Sequence, residues 1–547
     1  MRRRGRIGWC ALFLACAPGP TERRDDGPPA ERGAGIVVAA AQAAERTGSG
    51  DSVERVDRAG SGVWRGAGAA NQPEPVARAE SGASKDEERG AAAKRPEPAG
   101  GADRRGECLR RNAGAPARYA RIVAAFCAEH HNLAGVGASL AIVEGDGPPF
   151  VATAGSACLA GQAVTADTRF RVGSITKLLT AALVLRQVDA GRLELDAEVA
   201  RVLPELAAGV DERAGAITWR QLLTHTAGVP DPSPLELGAE WLTALGERPL
   251  WREPGALWSY SSDGYALVGA ALARLREVEF SRLFADELLA PLGLGAAVLE
   301  PGLALRTGAA CGHLGRGERA RAFSVVDDLA LGTGDARWTA PAGGAILAAA
   351  ELVTAVRDLV DPGRSPLSPT ARGELLAAEV PTFERPGERY GLGVRVRTSA
   401  GGPAIYGHSG ATGDFAADLV FVPERKFAAA VLSNTGDPLR ITVATVLQEL
   451  VGVAPERAAA MRPPARYTGT YRAARLGEVV TISAQGAGLR LSAPGLGLAE
   501  VPLEHAGDDR FLAAKRPELG GFTFVFAGAD ARASDLRGHV FVGARVE

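Results

Sequence analysis

Strand-forming runs stand at both ends of the central region of this chain, and the stretch between them is mostly helical. Residues 135–143 and 150–155 are apolar runs of strand length, separated by the turn Gly145-Asp146-Gly147-Pro148. The same texture returns at 390–396, 418–422 and 427–432, where Pro423-Glu424-Arg425-Lys426 joins the last two runs. That turn predicts an antiparallel hairpin. From about 174 to 360 the apolar spacing is mostly helical, broken by proline and glycine. Tyr119, Ile122, Val123 and Phe126 mark a leading helix over 119–129, and 441–451 reads as a closing one. Strands at both ends with helices between imply one antiparallel sheet made from both ends. The expected fold is therefore α/β (α+β), an antiparallel sheet built from both ends of residues 116–455 with an all-helical insert.

Outside that region the chain changes character. Residues 18–115 are rich in Gly, Ala, Pro, Arg and Glu; Gly82-Ala83-Ser84-Lys85-Asp86-Glu87-Glu88-Arg89 has no apolar face at either period. Such a stretch cannot bury enough surface to fold, so a disordered tether is expected. Ahead of it, Met1-Arg2-Arg3-Arg4-Gly5-Arg6 and the apolar run up to Ala17 have the form of a signal peptide over 1–17. Leu14-Ala15-Cys16 offers a cysteine for lipidation, although Phe13 occupies the first lipobox position. Cleavage with a lipid on Cys16 and cleavage without one both stand. Either way the chain is expected to be exported: periplasmic, envelope-anchored or secreted.

Beyond Pro463-Pro464, short strands recur at close intervals, which predicts a small all-β barrel over 465–547. The cysteines left for the folded part are Cys108, Cys127, Cys158 and Cys311. They form two bridges or none, and their spacing fits no metal-ligand pattern. A net charge of −2 argues against a nucleic-acid partner.

The chemistry centres on Ser174-Ile175-Thr176-Lys177. Residues three apart on a helix have Cβ atoms roughly 5–6 Å apart, so an amine at Lys177 can reach the Ser174 hydroxyl. Of 62 basic residues only Lys85, Lys94, Lys177, Lys426 and Lys515 are lysines, and Lys177 alone has a serine three positions before it. Arginine keeps its proton in a protein while lysine can lose it. The pair thus reads as a nucleophile with a base one turn away, at a helix N-terminus that favours developing negative charge. The structural alternative is a plain N-cap serine.

Four further segments accompany this pair: Leu222-Leu223-Thr224-His225-Thr226-Ala227-Gly228, Pro254-Gly255-Ala256-Leu257-Trp258-Ser259-Tyr260-Ser261-Ser262, Pro341-Ala342-Gly343-Gly344 and Tyr406-Gly407-His408-Ser409-Gly410. In order and spacing the set resembles the serine β-lactamase and penicillin-binding-protein superfamily, most closely its class C β-lactamase, esterase and D-aminopeptidase branch. The resemblance covers about 118–451, and the terminal barrel resembles those of D-aminopeptidase-like members. It implies that the fold is three-layered, that Ser174 becomes acylated, that Lys177 hydrogen-bonds it, and that Tyr260 shuttles the proton. His408 stands where many relatives have a lysine. The resemblance further implies that the amides of Ser174 and Ala411 form the oxyanion hole and that Ser262, Ser409 and Gly410 line the substrate. No metal and no cofactor is implied.

A lysine or tyrosine is almost wholly protonated at neutral pH, so a working base must be shifted. Cationic Lys177 and His408⁺ would favour the Tyr260 phenolate, while desolvation would favour a neutral lysine. Ser262 departs from the family pattern, which has asparagine there. A serine loses the reach and the two donors of the amide. The expected substrate is a small ester, peptide or lactam, with the ester favoured; D-amino-acid peptidase, β-lactamase and a non-catalytic binding protein are the rivals. Three further features read as decoys. His225 is expected to be structural, and His130-His131 solvated. Gly407-His408-Ser409-Gly410-Ala411 imitates a Gly-x-Ser-x-Gly elbow, which should join a strand to a helix rather than open a hairpin.

Overall fold

The computed structural model describes residues 103–546 apart from several segments, the longest of them 230–241, 324–339 and 513–522. The expected signal peptide, and the expected tether up to 102, lie outside the described residues.

The central sheet has eight strands. Two come from the start of the region, β1 (Gly137–Glu144) and β2 (Phe150–Gly155). A short pair, β3 (Arg169–Arg171) and β6 (Ile346–Ala348), and a second one, β4 (Gly312–Leu314) and β5 (Arg321–Phe323), lie outside that sheet. The other six strands come from the end: β7 (Val380–Pro381), β8 (Glu388–Tyr390), β9 (Arg395–Thr398), β10 (Ala404–Ala411), β11 (Ala416–Val422) and β12 (Phe427–Ser433). The order is β2-β1-β12-β11-β10-β9-β8-β7, so the first strand pairs with the last, from Ala138 opposite Ser433 to Glu144 opposite Phe427.

Both faces of the sheet are covered, which is why β1 and β12 read as unbroken apolar runs rather than alternating ones. Leu140 and Ile142 of β1 point into one core with Ile122 and Phe126 of helix α2 (Ala120–Asn132). Ala141 and Val143 point into the other, larger core. That core holds α3 (Thr176–Asp189), α4 (Trp219–Leu223), α5 (Ser262–Arg276), α6 (Phe280–Phe284), α7 (Ala340–Gly343), α8 (Ala349–Val360) and α9 (Pro369–Leu376). The closing helix α10 (Arg440–Val446) packs beside α2; the buried Glu129 carboxylate accepts from Ile441 N at 2.8 Å and Thr442 N at 2.7 Å, capping it. The three layers are those expected. After them, strands from β13 (Gly469–Arg472) to β20 (Val542–Arg545) close an eight-stranded barrel, with Tyr471 paired to Arg545 at the seam.

Two expectations change. Order begins ahead of 116, with α1 (Arg104–Arg111) capped by Asp103, whose carboxylate accepts from Gly106 N at 2.7 Å. A helix this polar does not hold by burial. The Cys108–Cys127 disulfide ties it to α2, and the Asn112 side chain exchanges hydrogen bonds with the Thr153 backbone at 2.9 and 3.1 Å. A second disulfide joins Cys158 to Cys311. His130, expected to be solvated, is 3 % exposed, because α2 lays that face on the sheet.

Candidate active site

Ser174 sits on a single 3₁₀ turn, Gly173–Ile175, and α3 follows from Thr176, so the serine stands just ahead of the helix instead of within it. The Thr176 hydroxyl donates to Gly173 O at 2.7 Å and accepts from Ala345 N at 3.1 Å, clamping the turn to the segment after α7. Gly173 adopts φ +52°, and β10 passes close against it. A Cβ on Gly173 would lie 2.7 Å from Ala411 N, and one on Gly410 would lie 3.2 Å from Ser174 N and 1.9 Å from Val172 O. Both positions need glycine. The tight approach brings together the two backbone amides expected to form the oxyanion hole.

Lys177 is completely buried. Its Nζ reaches Ala342 O at 2.9 Å, Ser174 Oγ at 3.2 Å and Ser262 Oγ at 3.4 Å. It lies 4.8 Å from the centre of the Tyr260 ring and 5.5 Å from that of Tyr265. An ammonium has three donors, and three acceptors surround it. An amine is accommodated equally well, donating to Ala342 and Ser262 while accepting from Ser174. The Pro341-Ala342-Gly343-Gly344 segment thus supplies a carbonyl to the lysine. Thr180 Oγ1 donates to Pro341 O at 2.7 Å and holds it there. Gly269 of α5 lets Pro341 approach, since a Cβ there would meet Pro341 Cγ at 2.0 Å.

Tyr260 precedes α5 on a loop gripped from both sides by His225. Ser259 N donates to the His225 carbonyl at 2.8 Å and Ser261 N to His225 Nδ1 at 3.1 Å. The His225 and Tyr260 rings lie 4.3 Å apart. His225 holds a left-handed φ of +58°, a conformation that costs a non-glycine residue on the order of 1 kcal/mol and recurs at functional sites.

His408 is buried on β10 with both nitrogens engaged, Nε2 by the Tyr390 hydroxyl at 2.9 Å and Nδ1 by Ser409 O at 2.6 Å. Burial first, then the charges of Arg395 and Lys177, pushes its pKa down to about 3. The expected cationic His408 is corrected: the ring is neutral at pH 7, so it adds no charge beside Tyr260. Ser409 is exposed in mid-strand opposite Asp418, which removes the elbow alternative, because β10 runs into a hairpin and not a helix.

The geometry therefore gathers Ser174, Lys177, Tyr260, Ser262, His408, Gly410 and Ala411 around one place, with the side chain of Ser409 on the exposed face of β10. Sequence reasoning missed Tyr390, which is fully buried between His225 and His408, and Arg395, packed 5.8 Å from the Tyr390 ring and paired with Glu388 at 2.6 Å. The strand pattern gave Tyr390 no distinction from a core tyrosine. Among the described residues no group of His, Cys, Asp or Glu is arranged to hold a metal ion.

A nucleophile-and-lysine turn facing a strand edge, on a sheet assembled from both chain ends, defines a serine-hydrolase type of enzyme. Residues 122–451 match the family model described as Beta-lactamase, and the chain belongs to that family. Penicillin-binding protein 4 of Amycolatopsis lactamdurans is 33 % identical over 291 residues, covering 50 % of this chain and 74 % of that one. Among solved structures, SurE with D-Leu aligns at TM-score 0.59 with 27 % identity, covering 79 % of this chain and 100 % of SurE. A class C beta-lactamase aligns at TM-score 0.53 with 20 % identity, covering 62 % of this chain and 97 % of that one, a likeness of fold.

Proposed function

We propose that the protein is an exported serine hydrolase that forms an acyl-enzyme on Ser174 and acts on ester bonds of small substrates. The observation that carries this is the completely buried Lys177, with Nζ 3.2 Å from Ser174 Oγ and held from behind by Ala342 O. Ser174 Oγ attacks the carbonyl carbon, and its proton passes to Lys177 or to Tyr260, either of which serves as base in sites of this kind. The carbonyl oxygen becomes an oxyanion facing the Ser174 and Ala411 amides. Its collapse expels the leaving group, which takes up a proton, and water then hydrolyses the ester on Ser174. General base help is worth about 10²–10⁴ in rate and one oxyanion donor about 10²–10³, so the reaction needs the set.

Esters are favoured over amides and lactams for two reasons. An alkoxide leaves more readily than an amide nitrogen, and Ser262 lacks the amide that would orient an acylamido group. One hydrogen bond left unmade costs about 1–3 kcal/mol. Neutral His408 also leaves that position without a cation for a substrate carboxylate. A nucleic-acid partner is not part of this reading. Two disulfides support an oxidising location, periplasmic, secreted or anchored through Cys16. The likeness to a protein solved with D-Leu favours a second reading, in which the acyl group is a D-amino acid. D- and L-aminoacyl p-nitroanilides separate the two.

The test compares kcat/KM for short-chain p-nitrophenyl esters and chromogenic cephalosporins. Esters are expected to be turned over well above cephalosporins, and Ser262→Asn to narrow the gap. A wild-type enzyme that opens the cephalosporin faster than it cleaves the ester contradicts the proposal in favour of a β-lactamase.

A further inference from the structure

Tyr260 and the oxyanion amides must keep a fixed separation across the cleft, yet they ride on different elements, a loop before α5 and strand β10. Behind the cleft a continuous line of groups joins the two. Ser261 N lies 3.1 Å from His225 Nδ1, and His225 Nε2 lies 3.1 Å from the Tyr390 hydroxyl. That hydroxyl lies 2.9 Å from His408 Nε2, and His408 Nδ1 lies 2.6 Å from the Ser409 carbonyl. His225, Tyr390 and His408 are 2 %, 0 % and 5 % exposed, so water cannot substitute for a lost link.

The ends of the line fix the tautomers of both histidines. The Ser409 carbonyl only accepts, so His408 carries its proton on Nδ1 and accepts at Nε2. The Ser261 amide only donates, so His225 accepts at Nδ1 and carries its proton on Nε2. The Tyr390 hydroxyl then accepts from His225 and donates its single proton to His408. Tyr265 gives its own proton to Leu223 O at 2.7 Å, and its oxygen is a second acceptor beside Tyr390; the Tyr390 proton goes to His408 because Nε2 would otherwise be a buried acceptor without a donor. A second proton on His408 would face a hydroxyl that already points its hydrogen there. Tyr390 could make way only by turning that hydrogen to the Tyr265 oxygen, which would end the line there. The line therefore requires a neutral His408, with Lys177, Arg395 and Glu384 the charged groups beside it.

We infer that His225, Tyr390 and His408 form a one-directional hydrogen-bond chain that positions the Tyr260 loop against the oxyanion strand. This rests on the acyl-enzyme reading above. The chain begins at the amide next to Tyr260 and ends on the Ser409 carbonyl, whose peptide directly precedes the Gly410–Ala411 peptide that carries the oxyanion N–H. His408 is then a positioning residue, since neither ring nitrogen is left to meet a substrate.

Tyr390→Phe keeps the ring and removes both links. It should lower kcat for p-nitrophenyl esters by roughly 10–100-fold, the scale of a misplaced reacting group, with KM within about threefold. In histidine ¹H–¹⁵N spectra of the wild type, the signal lost in His408→Gln should be a neutral Nδ1–H imidazole and that lost in His225→Asn a neutral Nε2–H one. The His408 signal should not titrate between pH 8 and 5. An Nε2–H or titrating His408, or unchanged kcat in a folded Tyr390→Phe, overturns the chain. If Tyr390→Phe does not fold, the wild-type tautomers decide. Failure of a fluorophosphonate to label wild-type Ser174 would instead sink the acyl-enzyme reading and the chain with it, whereas labelling with the wrong tautomers sinks the chain alone.

Discussion

At Lys177 three acceptors meet one nitrogen in a space without solvent, and that space discriminates between the two basic side chains. Arginine at this position keeps a positive charge but cannot exchange a proton. Lys177→Arg should therefore turn over esters at least about 10²-fold more slowly than the wild type. Wild-type-like rates in a stopped assay would mean that the lysine serves only as a fixed charge. His130 makes a second prediction. Burial, with the nearby Arg104 charge, pushes its pKa down to about 4 from an ordinary 6.5. A histidine that resists protonation when folded contributes stability that is whole above about pH 6.5 and is lost as pH falls towards 4. The loss is on the order of 3 kcal/mol at pH 4. Urea midpoints should decline over that window, and His130→Leu should flatten the decline between pH 6.5 and 5; identical slopes would contradict this. Ser174 and Lys177 were legible because a scarce residue stood at a meaningful spacing. His130 and Tyr390 were not, because burial depends on which face of an element meets the sheet, and no local pattern marks it.

The elements were legible where the chain repeats a period and obscure where a covalent or long-range tie makes them. Strands β1, β11 and β12 and helix α3 follow from apolar runs and turn residues. Helix α1 does not, since polar residues dominate it and the tie to α2 is Cys108–Cys127, at a sequence separation of 19. A loop of that size is worth about 3 kcal/mol when closed by a disulfide. Cys108→Ser should lower the melting temperature by several degrees while leaving ester turnover unchanged, because α1 packs on α2 and β2. An unchanged melting temperature would show that Asn112 and the Asp103 cap hold the helix without the bridge. The segment Pro341-Ala342-Gly343-Gly344 was legible as a motif, but its work, a carbonyl presented to Lys177, appears only when α3, α5 and α7 meet.

The whole molecule places a site where no single segment could make one. The sheet from both chain ends supplies strand β10, the helical insert supplies the serine turn and the Tyr260 loop, and β8 bridges them through Tyr390. The barrel reaches this region through Arg510 of strand Arg510–Leu512, which donates to the carbonyl of Glu384, whose carboxylate pairs with Arg395 beside Tyr390. The order of strands, helices and barrel could be read from the sequence because each has its own texture, whereas the approach of β10 to the serine turn could not, as it depends on two glycines facing each other across hundreds of residues. The central claim, an acyl-enzyme on Ser174, is tested most directly by intact mass spectrometry of the full chain after a fluorophosphonate. One adduct per wild-type molecule, mapping to Ser174, is expected, with none in a Ser174→Ala variant that melts within about 1 kcal/mol of the wild type. Full labelling of Ser174→Ala would contradict it.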